Sequence, residues 1–269
     1  MAIVIPVFNQ LNYTRGCIES LRAGGIADAQ IIVINNASTD GTLEYLNANP
    51  QIQAAHNAAN LGCGGAWTQG SKLSKSPWTV VMNNDVLVPR GCMEGLVDFA
   101  TKENFDIVSP AMCEGEMDYD LASHATEVMK QMKDVVRSDI AYGVCFMVHR
   151  RVFEVIGYFD NDPKLGGYED DEYFRRARKA GFRLAVTGRA FLHHFGSITQ
   201  KSIKADSGGK IKSLGDREYY RRKTGQTWLK RKIAQVRNGM REAQWQRSEL
   251  SRFGRTLHQK REDGQWKSF

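Results

Sequence analysis

The chain has 269 residues, 42% hydrophobic and 25% charged, with 25 Gly and 6 Pro. These values exclude disorder, collagen and a small disulfide scaffold as whole-chain readings, and the length suits one large domain or one domain with an appendage. The net charge of +7 is unevenly placed: residues 201–269 hold 19 of the 37 Lys/Arg but only 7 of the 30 Asp/Glu. A slightly acidic body with a basic tail points to a polyanionic partner, either nucleic acid or an anionic membrane.

The first hundred residues alternate between short apolar runs and helical spacing. Ile3–Val7 reads as a strand with no basic leader before it, Asn12–Ala23 as a helix, and Ile31–Ile34 as a second strand. Leu43–Leu46 reads as helix, Ile52–Ala55 as a weak strand, Gly64–Leu73 as helix, Thr79–Met82 as strand, Gly91–Thr101 as helix and Ile107–Val108 as strand. Such alternation predicts an α/β fold: a doubly wound, mainly parallel sheet flanked by helices. Ligands of such sheets bind beyond the carboxyl ends of the strands.

Residues 113–140 read as a polar, irregular insertion that shapes an acceptor site. Val144–Val148 then reads as strand, Arg150–Ile156 and Asp170–Ala180 as helices, and Arg183–Val186 and Ala190–Leu192 as two strands. From about residue 216 the tail reads as helix, with Ile233, Val236, Met240, Ala243, Leu250 and Leu257 in a three-four spacing among Arg, Lys and Gln. The five cysteines lack metal-ligand spacing and imply free thiols in a reducing compartment. With no signal peptide or apolar span, the expected location is cytoplasmic, with attachment to the inner membrane face left open.

Four polar clusters could carry chemistry. Asn35–Thr42 follows a strand and offers helix-capping Ser38, Thr39 and Asp40, as a nucleotide site or as a capped turn. Asn83-Asn84-Asp85 ends another strand; Asp85 suits a divalent cation that also bridges phosphates, and the plain alternative is a turn. Glu169-Asp170-Asp171-Glu172 opens a helix, where crowded carboxylates raise one another's pKa or merely face the helix dipole. His193-His194 ends a strand, so only one of the two can face a site shared with Asp85.

The order of these clusters is more specific than any one of them. Asn9 after the first strand, Asn-Asn-x-Ser-x-Asp at 35–40, Asn60-x-Gly62, Asn-Asn-Asp at 83–85, Glu-Asp-Asp-Glu at 169–172 and His-His-x-Gly at 193–196 form one series. Over roughly residues 2–200 the chain resembles the family 2 glycosyltransferases of the GT-A fold. Further matching stretches are Gly143–Phe146, Arg150–Phe153, Gly157–Asp160 and Arg175–Phe182. The resemblance implies a catalytic domain over 1–200, with a nucleotide-sugar half to about 110 and an acceptor half over 111–200. A basic helical extension over 201–269 lies outside the family pattern.

The resemblance further implies inverting transfer of a hexosyl or pentosyl group from a nucleotide-sugar, most simply a UDP-sugar, to an acceptor hydroxyl. Pro6, Val7, Asn9, Asn35, Asp40, Asn60, Gly62, Asn84 and Asp85 would lie along the donor. Asp85 with His194 or His193 would hold Mn²⁺ or Mg²⁺, and Asp170, with Asp171 beside it, would be the base. Asn35 stands where the family usually has a base-contacting Asp, and Asn83 where the metal motif has its first acid. The acceptor is open between a glycan, a lipid-linked sugar and nucleic acid. For the tail, docking on the body or on a second copy, lying on an anionic membrane, and binding nucleic-acid phosphates stay open. The rival from another class is a nucleic-acid or membrane-surface binding protein on a degenerate transferase scaffold.

Overall fold

The structure, a computed structural model, describes residues 1–206 and 214–269, and only the backbone of 204–206. Of the basic extension expected over 201–269, residues 207–213 therefore lie outside the described residues.

The chain opens on β1 (Ala2–Val7), buried along its whole length, followed by α1 (Leu11–Ala23). There follow β2 (Ile31–Asn35), α2 (Thr42–Asn47), β3 (Gln53–His56), α3 (Gly62–Leu73) and β4 (Trp78–Met82). Residues of β1 alternate between two layers, as the two-residue period of a strand requires. Ile3, Ile5 and Val7 pack with Cys17, Ile18 and Leu21 of α1, while Ala2 and Val4 pack with Ile32, Ile34 and Ala66 on the other face. β3, β2, β1 and β4 run parallel in that order. Val7 stands opposite Asn35 and Asn35 opposite His56, so the loops that follow these strands leave from one edge.

The second half is less regular. β5 (Val86–Leu87), α4 (Cys92–Glu103) and β6 (Ile107–Gly115) come first, then α5 (Leu121–Met132), β7 (Val136–Ser138) and β8 (Cys145–His149). α6 (Arg150–Ile156), α7 (Glu169–Lys179) and β9 (Leu184–His194) complete the body. β8 lies antiparallel between β4 and β6, so the sheet becomes mixed beyond β4. Among the described residues eleven strands join this one sheet.

Three expectations are corrected. The segment 113–140 is not an irregular insertion: β6 runs on to Gly115, and α5 follows, capped where the Asp120 carboxylate accepts the Ser123 N–H at 2.7 Å. Ala125, Val128 and Met132 of α5 are buried against Phe191 and Leu257. The two strands read at 183–186 and 190–192 are one long β9, broken only by a bulge opposite Pro110 and Ala111. The tail is helical in α8 (Ile198–Asp206), α9 (Arg217–Lys223) and α10 (Trp228–Phe253), but it ends in β10 (His258–Glu262) and β11 (Gln265–Ser268). Leu257, expected on the helix, is buried just ahead of β10, which pairs parallel with β6.

An aromatic layer fixes α7 relative to the sheet. Phe146 of β8 meets Trp67 of α3 and Phe174 of α7 edge-on, at 5.7 and 5.0 Å between ring centres. Phe159 packs on Tyr173 at 4.2 Å. Each such ring contributes about 2–3 kcal/mol by burial alone, so the start of α7 is held firmly against α3 and β8.

α10 is joined to the body through its polar side. Arg137 of β7 donates two hydrogen bonds to Glu249, both at 2.8 Å, with both side chains buried. Glu249 also accepts the Leu257 N–H, and Arg137 reaches the Phe269 carbonyl at 3.0 Å.

Candidate active site

The polar residues after β1 and β2 bind each other first. Asn9 and Gln10 adopt left-handed backbone conformations, with φ of 56° and 64°. This turns the Asn9 side chain back to accept the Thr39 N–H at 2.7 Å, while its own N–H donates to Ser38 Oγ. Asp40 accepts the Leu11 N–H and the Thr42 hydroxyl, and Asn35 accepts the Ser38 N–H. Asn9, Asn35 and Asp40 thus knit the two loops together, and none of them lines the cavity beside those loops.

That cavity, about 770 Å³, lies at the carboxyl edge of the parallel strands. Pro6 and Val7 of β1, Asn60, Gly62, Asn84, Asp85 and Asp170 all line it. The two carboxylates expected to act together, 85 positions apart in sequence, thus share one pocket. Asp171 is exposed and lies outside the lining.

Asp85 is buried where the chain leaves β4. Its Oδ2 accepts the N–H of Ile198 at the start of α8 (2.9 Å), and its Oδ1 has no hydrogen-bond partner. Pairing of Val86 with His194 in the β5–β9 ladder brings His194 Nε2 to 3.5 Å from Oδ1. Burial disfavours the charge on Asp85, but His194 and the Ile198 N–H outweigh it and hold the carboxyl below its usual range. His193, one step along the strand, points the other way: its Nδ1 meets the Tyr119 hydroxyl at 2.9 Å. Burial, with His194 alongside, pushes His193 down to about 4, so it is a neutral ring at neutral pH.

Asp170 stands on the first turn of α7. Its Oδ1 accepts the Asp171 N–H at 2.9 Å, and its other oxygen lies against the backbone of Gly143. A Cβ built on Gly143 would overlap Oδ2 of Asp170, so only glycine lets the turn before β8 approach the carboxylate so closely. Burial, then the charges of Asp171 and Glu169, push Asp170 up to about 7. Glu169, buried beside it, accepts the Gly167 N–H and fixes the turn before α7.

Several lining residues escaped the sequence reading. Asn36 is buried, donating to the Gly62 carbonyl and accepting from Asn57, so it ties β2 to the start of α3. Asn36 belongs to the Asn-Asn-x-Ser-x-Asp motif, but the resemblance places Asn35 along the donor, and the alternation that leads out of β2 sends the two side chains to opposite faces. Asp160 and Asp162 form part of the rim and are held from outside by Lys223 and Tyr219 of α9. Nothing local in the sequence signals that contact, which spans some sixty positions.

Among the described residues, no group of three or more His, Cys, Asp and Glu is arranged to hold a metal by itself. The Asp85–His194 pair still suits a cation that a ligand helps to bind. His194 Nε2 stands 3.5 Å from Asp85 Oδ1, which has no hydrogen-bond partner, and 3.2 Å from the Ser197 backbone nitrogen. With Nε2 deprotonated, the ring nitrogen and the carboxylate oxygen would offer two donor atoms to one cation. No helix among the described residues is long and apolar enough to cross a membrane.

Comparison with known proteins gives the family and the fold. The sequence profile described as Glycosyl transferase family 2 matches residues 2–157. An uncharacterized glycosyltransferase of Rickettsia typhi is 27% identical over 190 residues, covering 66% of this chain and 58% of that protein. An uncharacterized Mycobacterium bovis protein is 23% identical over 210 residues, covering 74% of this chain and 75% of its own length. Among solved structures, S. aureus TarS residues 1–349 in complex with UDP superposes with a TM-score of 0.55 at 14% identity, over 71% of this chain and 59% of that one. GalNAc-T7 with UDP, GalNAc and Mn²⁺ gives 0.58 at 17% identity, over 72% and 42%. The chain thus spans well under two thirds of the Rickettsia relative and of both solved structures. The sheet with its flanking helices is the GT-A fold, and the chain belongs to glycosyl transferase family 2.

Proposed function

We propose that the cavity transfers a glycosyl group from a nucleoside-diphosphate sugar to an acceptor hydroxyl, with inversion and with Asp170 as general base. The observation that carries this reading is the placing of Asp85 and Asp170 on the wall of one cavity, with Asp170 raised to about 7. A hydroxyl is a poor nucleophile, and a base whose pKa lies near the working pH takes its proton most effectively as the new bond forms. The acceptor oxygen bonds to the anomeric carbon, the bond from that carbon to the diphosphate breaks, and the proton passes to Asp170. One base set against one leaving group gives in-line displacement, hence inversion. The donor class is supported by the neighbours, since TarS is seen with UDP and with UDP-GlcNAc, and GalNAc-T7 with UDP.

Asp85 and His194 would hold a divalent ion, Mn²⁺ or Mg²⁺, which when bound offsets the charge that develops on the diphosphate. The chain's own residues do the rest. Asn36 and Gly62 fix the wall along the nucleoside side, Glu169 sets the turn ahead of α7, and Gly143 leaves room for the base. The test is turnover of nucleotide-sugars with Mn²⁺, alongside a thermal-shift screen of nucleoside diphosphates. Loss of turnover in Asp170→Asn with nucleotide binding intact is the expected result; wild-type turnover by that variant would overturn the assignment of the base.

A further inference from the structure

α10 is amphipathic in the reverse of the usual sense. The residues it turns toward the body are Arg231, Ala234, Asn238, Arg241, Trp245 and Glu249, all buried or half-buried. Directly opposite lie Leu229, Ile233, Val236 and Met240, which are 61, 58, 61 and 68% exposed. Their i, i+4, i+7, i+11 spacing draws one stripe about 17 Å long. Of the readings left open for the tail, docking of its apolar face on the body does not hold for these residues: the stripe faces solvent, and the polar face makes the attachment.

The stripe has a charged frame. α10 carries seven Lys/Arg and two acids, and one of those acids, Glu249, is buried against Arg137. Lys230, Lys232 and Arg237 are exposed on the turns that bear the stripe. We infer that this face of α10 lies on an anionic lipid surface, with the four aliphatic side chains entering the headgroup boundary and the basic residues meeting lipid phosphates. Charge decides against a second copy, which would set the same basic flanks against each other. The aliphatic stripe decides against nucleic acid, whose phosphates engage the cations but leave no place for four apolar side chains. This inference does not depend on the transferase reading.

The geometry also gives the docking a use. Only residues 224–227 separate α10 from α9, and α9 grips the cavity rim through Tyr219 on Asp162 and Lys223 on Asp160. A surface that holds α10 therefore comes close to the cavity that the rim encloses.

The test is co-sedimentation of the full chain with vesicles of phosphatidylcholine alone, or of phosphatidylcholine mixed with phosphatidylglycerol. The chain should pellet with the anionic vesicles and stay in solution with the neutral ones. Ile233→Asp with Val236→Asp should weaken that binding by at least about tenfold. Replacing Lys230, Lys232 and Arg237 by Gln should weaken it about fivefold per charge removed. Circular dichroism and the melting temperature of these variants should match the wild type, because the positions are exposed. Unchanged vesicle binding by the Ile233→Asp, Val236→Asp variant would overturn the inference. So would a wild-type dimer that this variant dissociates without any vesicle binding, or stripe-independent binding to duplex DNA in place of vesicles.

Discussion

The cavity and α10 both depart from ordinary solvation, in opposite directions. At the cavity, Asp170 sits in a wall that disfavours its charge and is raised to about 7. On α10, aliphatic side chains stand in water while Arg231, Arg241 and Glu249 face the protein. Neither arrangement helps folding. A carboxylate kept from water costs stability when ionised, and an exposed stripe forgoes the gain of burial. Consistency between pattern and environment is the rule elsewhere in the chain, and departures from it mark surfaces that serve something other than the fold.

Mutations can separate these departures from plain structure. The largest effect is expected from Asp170→Asn, with turnover falling about 10²–10⁴-fold while nucleoside-diphosphate binding, read by thermal shift, changes little. Nearly as large, but in stability, is Glu249→Ala, which leaves Arg137 buried without its partner. Denaturant unfolding should show a loss of about 3–5 kcal/mol, whereas Arg137→Met with Glu249→Leu should recover most of it. Gly143→Ala should lower turnover about a hundredfold by displacing the Asp170 carboxylate, with far less effect on unfolding.

The pH dependence follows from the raised pKa. Because the proposed base must be ionised, kcat/KM should fall about tenfold per pH unit below about 7 and level off above it. Stability runs the other way. The folded state holds the Asp170 proton across the window from the ordinary carboxylate range up to about 7, so the contribution of this group is greatest in acid and declines as pH rises to about 7. Asp170→Asn should therefore flatten that decline and leave the unliganded protein more stable at neutral pH. The smallest change is expected from Ile233→Asp alone, within about 0.5 kcal/mol of wild-type stability, since its side chain has no interior to leave.

How much the residues disclosed in advance depended on how local their signal was. β1, β2 and β4 were legible because each is a short apolar run closed by polar residues. That Asp85 and Asp170 share one cavity was legible through the family order of motifs. α5 could have been found: Asp120 with Ser123 is a capping signal, and Leu121, Ala125, Val128 and Met132 repeat at helical spacing. The hairpin of β10 and β11 also left a mark in Asp263-Gly264, both with positive φ as a tight hairpin turn requires. Its strands, His258–Glu262 and Gln265–Ser268, carry too little apolar alternation to be read as strands. The outward stripe of α10 was visible as periodicity, but its direction was not. Contacts distant in sequence, such as the pairing of Glu249 with Arg137, 112 positions apart, decide which side faces the body.

The pairing of β10 with β6 has a consequence for biogenesis. Met112 and Cys113 lie beside His258 and Gln259, so one edge of β6 finds its partner only after some 145 further residues have been made. Until then a nascent chain carries an unpaired strand edge in an otherwise formed sheet, the kind of surface on which stalled or truncated products cluster. Synthesis arrested anywhere within α10 should yield material that depends on chaperones, and emergence of the β10–β11 hairpin should be the step that ends that dependence.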